Sequence, residues 1–356
     1  MRLHPLPKIG SLLVPLMLLI TTVPAACQEA AQWPRFLGPT FDGVAPHGNF
    51  RWTEKPKLLW SLPVGEGYGI GTVAGGMYFH FDAATVARGQ SDERLRCIDL
   101  NTGKTIWSKT QSILYQDLLG YEDGPRSSPT VVGNHVYTLG VTGILTCRHV
   151  DSGAQVWMVD TNEKYGVVQN FFGVGCSPLF LDNRLIVMVG GSPTGDQNIA
   201  PMRLDRVSPN GSAVVALDPM TGKELWKCGD DLASYSSPRP IEIDGKTLVL
   251  VFARAGLMGI DPELGKVMWR FDHRAEILES VNAMMPVVVD DHVLISECYE
   301  VGSALLRVTE DSCQMLWKDP PGSRRSDWAR QSFRAHWATP IVIDGYLYGC
   351  NGRNPP

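Results

Sequence analysis

Ala213–Trp226 reads AVVALDPMTGKELW. An alternating apolar run (Val214, Val215, Leu217) meets a turn made of Asp218, Pro219, Thr221 and Gly222, and a second short run ends in Trp226. Alternation with a period of two marks a half-buried strand, and the Asp/Pro/Gly cluster supplies the turn. The pattern recurs as Leu95–Trp107 (LRCIDLNTGKTIW), Leu145–Trp157 (LTCRHVDSGAQVW), Leu257–Trp269 (LMGIDPELGKVMW) and Leu305–Trp317 (LLRVTEDSCQMLW). A repeat at a roughly even interval decides the architecture before any local detail does.

Upstream of each Trp-ended pair lies a second pair of short strands. The unit between Ser128 and Val159 is the clearest: strand, Gly133-Asn134 turn, strand, Thr142-Gly143 turn, strand, Asp151–Ala154 turn, strand. Four short strands separated by turns make one propeller blade. Further units run from Gly69 to Lys109, Ser177 to Trp226, Ser237 to Trp269 and Met285 to Trp317. In the first of these, the polar stretch Ala83–Glu93 reads as a hairpin loop. In the third, an insertion rich in Gly, Pro, Asn and Asp (Gly190–Gly211) reads as a surface loop. Lys57–Leu62 (KLLWSL) reads as a lone fourth strand carrying Trp60, and a sixth unit opens at Thr339-Pro340 with an Asp344-Gly345 turn.

The expected fold is therefore all-β: a propeller of four-stranded antiparallel blades. The lone Trp60 strand and the half-built sixth unit suggest a ring of seven blades, or alternatively eight. Of that ring this chain would hold five full blades and partial ones, and it would be C-terminally incomplete. Residues 1–26 read as a signal peptide: Arg2 and Lys8, an apolar Leu12–Val23, then Ala25 and Ala26. Cys27 is a candidate lipidation site, 27–56 an irregular lead-in, and 57–356 the propeller. The expected location is the periplasm or cell envelope, with membrane attachment only through such a lipid.

The formal net charge is −5 and no Lys/Arg block occurs, which argues against nucleic-acid binding. The cysteines are scattered with no C-x-x-C pair, which excludes a haem attachment motif and predicts mostly free, buried thiols. The terminal Trp of each unit (Trp60, Trp107, Trp157, Trp226, Trp269, Trp317) reads as a docking residue. It would pack on the neighbouring blade's turn and give its indole N–H to a carbonyl there.

The segments before each first strand should lie at one mouth of the channel. They offer Arg126, Tyr235, Asn282, Arg334 and His336 as candidate binding groups. The plainer account is that these side chains are paired and that the neighbouring Ser and Thr cap strand ends. Ser127, Ser128, Ser236 and Ser237 have no linked His/Asp pattern for a hydrolase. Glu122, Asp123, Glu279 and Asp327 have no spacing that identifies a hard-cation site.

The unit Ala216–Trp226 resembles the pyrroloquinoline-quinone (PQQ) type propeller repeat, A-x-D-x-x-T-G-K-x-x-W, and Cys97–Trp107 departs from it only at the Ala position. That superfamily includes quinoprotein alcohol dehydrogenases and the outer-membrane assembly lipoprotein BamB. Trp33–Gly38 (WPRFLG) is similar to the lead-ins of its exported members. The resemblance implies either a non-catalytic scaffold with an envelope protein partner and no cofactor, or a PQQ-dependent oxidoreductase using Ca²⁺. The dehydrogenases hold PQQ against adjacent cysteines, which this sequence lacks, so the first reading is preferred. No catalytic residue and no metal ligand is assigned.

Overall fold

The computed structural model describes residues 32–45, 55–322 and 324–353. The signal segment and Cys27 lie outside the described residues. Five four-stranded antiparallel sheets follow one another along the chain, then a two-stranded hairpin. They are blade 1 (residues 72–114), blade 2 (130–160), blade 3 (179–228), blade 4 (239–272), blade 5 (287–318) and the hairpin (341–348). Each blade is an up-and-down meander in which sequence neighbours pair. The first strand lies innermost, and the strand carrying the Trp is outermost. The hairpin turns are locally encoded. Asp244-Gly245 and Asp344-Gly345 both take left-handed φ (50° and 80°, 51° and 78°), the geometry that matches the twist of two-residue hairpins.

Two sequence expectations are corrected. Ala83–Glu93 is not a loop: strands Met77–Ala87 and Gln90–Asp99 continue through it and turn only at Arg88-Gly89. Its polar composition concealed a period of two, with Phe79, Phe81 and Ala83 buried on one strand and Ser91, Glu93, Leu95 and Cys97 on the next. Asp82 is buried there because Arg94 and Arg96 both donate to it, as does the Gly65 amide. Lys57–Leu62 is not a strand either; it is irregular, with no ladder partner. The insertion in blade 3 contains two short 3₁₀ turns, Thr194–Asn198 and Leu204–Arg206. It is partly packed, with Leu204 and Val207 buried against Val168 and Leu232.

The outer rim is a chain of indoles. Trp60 Nε1 donates to Leu100 O (2.8 Å), Trp107 to Val150 O (2.8 Å), Trp157 to Pro219 O (2.8 Å), Trp226 to Pro262 O (3.0 Å) and Trp269 to Thr309 O (3.1 Å). Every acceptor lies in the outer turn of the following blade. The turn glycine explains itself here. Gly103, Gly153, Gly222 and Gly265 have φ between 63° and 69°. A Cβ on them would stand 2.4–2.8 Å from the docked indole of the preceding unit. Glycine is required twice over, for the backbone and for the face it offers. Within each blade the same Trp lies opposite Cys97, Cys147, Ala216 or Gly259, so a small residue leaves room for the ring. In blade 5 the facing residue is Leu305, and Trp317 is 38 % exposed. The seven cysteines among the described residues are all unpaired, and Cys97, Cys147, Cys176 and Cys298 are buried.

Candidate functional site: the channel mouth

The innermost strands begin at a recurring dipeptide: Ser128-Pro129, Ser177-Pro178, Ser237-Pro238, Met285-Pro286 and Thr339-Pro340. The hydroxyls do not merely cap their own strands. Ser128 Oγ accepts from Ile70 N (3.0 Å), Ser177 Oγ from Ser128 N (2.9 Å), Ser237 Oγ from Ser177 N (2.9 Å) and Thr339 Oγ1 from Met285 N (2.9 Å). In each case the donor is the equivalent residue of the preceding blade. The dipeptide is thus an inter-blade latch around the channel, interrupted where Met285 has no hydroxyl. Burial of an unpaired backbone N–H is costly, so each latch fixes the spacing of two blades.

Two residues before each latch position the chain faces inward. Tyr68, Arg126, Gly175, Tyr235, Ala283 and Trp337 occupy this place in blades 1 to 5 and the hairpin, and all six line one cavity of about 630 Å³. Pro34 O accepts from Val131 N, Trp33 exchanges backbone hydrogen bonds with Val73, and Gly43 lies against Ile341 of the hairpin. The lead-in therefore crosses the channel, and its Phe36 and Leu37 line the cavity. Above them the wall is aromatic. Trp337 stands 5.2 Å from both Phe172 and Tyr235, Phe172 lies 5.5 Å from Tyr235, and Tyr121 meets Phe172 edge-on at 5.3 Å.

The sequence-predicted candidates separate into three groups. Arg126, Tyr235 and His336 line the cavity. Asn282 does not: it is fully buried, and its amide donates to the carbonyls of Ala253, Arg254 and His273. His336 holds the same place one residue before the inward-facing position, so register alone does not separate the two; the three carbonyls that Asn282 binds hold it inside. Arg334 is also turned away; it donates to Cys298 O and stacks on Trp328 at 3.9 Å. Residues missed from sequence are Tyr68, Tyr121, Phe172, Trp337 and Arg353. Searching for polar side chains overlooked the aromatic ones. The signal that finds two of them is position, two residues before the latch.

Electrostatically the mouth is quiet. Arg126 gives its N–H groups to Asp117, Gly124 O and Phe172 O, and its flat face covers Tyr68 at 4.8 Å. Tyr235 accepts from Phe172 N, and burial holds its phenol well above the usual range. Burial, with Arg353 nearby, lowers His336 to about 4, so it is neutral at physiological pH. The strongly shifted carboxyls lie elsewhere. Burial raises Glu93 and Glu297 to about 7, and neither lines the mouth: Glu93 accepts from Val141 N of the next blade, and Glu297 from Ser280 in the segment that joins blades 4 and 5.

A family model described as outer membrane protein assembly factor BamB matches residues 91–349. The chain belongs to this family of PQQ-like propeller proteins. A curated relative, the uncharacterized protein RP232 of Rickettsia prowazekii (strain Madrid E), is 21% identical over 179 residues. That match covers 50% of this chain and 36% of the relative, so the chain spans about a third of that protein's length. Among solved structures, BamB from Moraxella catarrhalis is 17% identical with a TM-score of 0.49, covering 81% of this chain and 70% of that one. A europium-containing methanol dehydrogenase is 12% identical with a TM-score of 0.46, covering 89% and 81%.

The dehydrogenase branch implies PQQ with a metal ion. The aromatic wall and Arg353 suit a flat acidic ring, but no carboxylate lines the cavity. No group of three or more His, Cys, Asp or Glu able to hold a metal occurs among the described residues. A hard cation takes six to eight oxygen ligands, with carboxylates foremost. The donor set at the mouth does not fit the metal half of that pair, and no redox step is derived through it.

Proposed function

We propose that this chain is a non-catalytic propeller that acts as a protein-interaction scaffold in the cell envelope. One observation carries the reading: the channel mouth is rimmed by exposed aromatic side chains. Tyr68 is 53 %, Tyr121 51 % and Trp337 44 % exposed, and Leu118, Leu119 and Ile70 are exposed on the same loops. Contiguous exposed apolar surface marks interaction sites, and Tyr, Trp and Arg dominate the energetic centres of protein interfaces. The rigid ring below holds these loops, and Arg126 and Tyr235 inside the mouth already have partners, which suits binding better than proton transfer. Affinity capture from envelope fractions tests this, comparing wild type with the double variant Tyr121→Ala, Trp337→Ala. A partner retained by wild type and lost by the variant is expected; identical recovery by both overturns the reading.

The second reading, a PQQ-dependent alcohol or sugar oxidoreductase, is favoured by the volume of the cavity and by Trp337 in its wall. Micromolar PQQ with Ca²⁺ would then give a bound chromophore and dye-linked alcohol oxidation. Absence of both removes it.

A further inference from the structure

The mouth cavity has an asymmetry of hydrogen-bonding type that the scaffold reading alone does not require. Its polar lining donates. Ser128, Ser177, Ser237 and Thr339 each use the hydroxyl oxygen to accept a latch hydrogen bond, and each keeps an O–H proton with no acceptor among the described residues. His336 Nδ1 is buried with no hydrogen-bond partner, and it donates in the tautomer whose Nε2 accepts from the Tyr299 hydroxyl. Arg353 adds a guanidinium at the edge, where it lies 5.5 Å from the Tyr299 ring. No carboxylate faces these groups. A ring of donors in an apolar wall is complementary to an anion with several acceptor lone pairs, above all a carboxylate.

The shape narrows the choice. Phe36 and Leu37 of the lead-in line the cavity where the chain crosses the channel, which favours a chain end over a threaded segment. The aromatic wall accommodates an apolar side chain, while the exposed Tyr68, Tyr121 and Trp337 continue the apolar surface outward beyond the cavity. A small free acid would leave that rim uncovered.

We propose that the mouth captures the free C-terminus of a partner protein, with the terminal carboxylate on the hydroxyl ring and Arg353 and an apolar last residue against Trp337. Carboxylate capture of a chain end is a recurring mode of peptide recognition. The proposal rests on the scaffold reading and names the chemistry of its partner.

The test is calorimetric titration of the full chain with acetylated mixed-sequence pentapeptides ending in phenylalanine, as free acids and as C-terminal amides. The acids are expected to bind and the amides to bind at least tenfold more weakly. Arg353→Gln should abolish that difference with unchanged thermal melting, and Trp337→Ala should weaken the acids about tenfold while the protein stays folded. Equal binding of acid and amide, no binding of either, or equal binding by acetyl-phenylalanine alone overturns the proposal. A benzoylphenylalanine crosslinker at position 121, used in the native host and mapped by mass spectrometry, separates the two readings. Crosslinks to a partner's last few residues support C-terminal capture. Crosslinks to an internal segment overturn capture and leave the scaffold intact, and no adduct at positions 68, 121 or 337 overturns both.

Discussion

The rim and the mouth of this propeller are built from the same repeat and obey opposite rules. At the rim, five indoles make one contact five times over, a carbonyl in the next blade's turn at 2.8–3.1 Å. At the mouth, one structural position is filled by six side chains of five kinds: Tyr68, Arg126, Gly175, Tyr235, Ala283 and Trp337. Repetition suits a contact whose task is to hold blades at a fixed spacing. Variation suits a surface that must match something without the ring's symmetry. Gly175 shows how closely the varied positions are fitted: a Cβ there would stand 2.9 Å from both Arg126 and Tyr235. The latch lies between the two regimes, repeated four times and omitted at Met285.

The largest expected effect is at the rim. Trp157→Ala removes a buried indole that also hydrogen-bonds Pro219 O. It should cost about 3–5 kcal/mol, read from the denaturant midpoint. Next come the glutamates inside the blades. With a folded pKa of about 7 against an ordinary value near 4.5, Glu93 favours the folded state fully below pH 4.5 and loses that contribution as pH rises through 7. One pKa unit corresponds to about 1.4 kcal/mol. Glu93→Gln should therefore raise stability at pH 8 relative to pH 4.5 by up to about 3 kcal/mol, measured by urea unfolding at both. His336, lowered to about 4, acts in the opposite sense: its contribution is complete above pH 6.5 and is lost as pH falls through 4.

A smaller effect separates backbone strain from the indole contact. Gly222→Ala and Gly245→Ala both place a side chain at positive φ, but only the first puts it against an indole, Trp157, at 2.8 Å. Strain alone should cost about 1–3 kcal/mol in each, with Gly222→Ala the more destabilising in thermal melts; equal costs would mean that the indole is not a tight neighbour. Ser177→Ala opens one latch and should cost about 0.5–1.5 kcal/mol. Trp337→Ala, half-exposed at the mouth, loses its contacts with Phe172 and Tyr235 and should cost about 0.5–1.5 kcal/mol, well below Trp157→Ala, while reducing partner capture. A large loss of stability there would erase the distinction between rim and mouth.

How much of this was legible from sequence follows the same division. The strand, turn and Trp of each unit are local and recur, so the all-β propeller class could be read from Ala213–Trp226 and its four counterparts. The second-strand extension in blade 1 could not. Asp82, Arg94 and Arg96 look like loop residues until the fold pairs them in the interior. At the mouth, choosing polar residues found Arg126, Tyr235 and His336, took in Asn282 although three backbone carbonyls hold it inside, and overlooked the aromatic wall.

The sequence by itself determined the blade, because alternation, turn chemistry and the Gly/Trp pair are specified over a dozen residues. The tertiary structure decided what the blades make together. It showed that Ser-Pro and Thr-Pro dipeptides latch one blade to the next, that the lead-in crosses the channel, and that six register-matched residues converge on one cavity. Those facts depend on contacts between residues 49 and 60 positions apart, and no local pattern carries the register of one sheet against another.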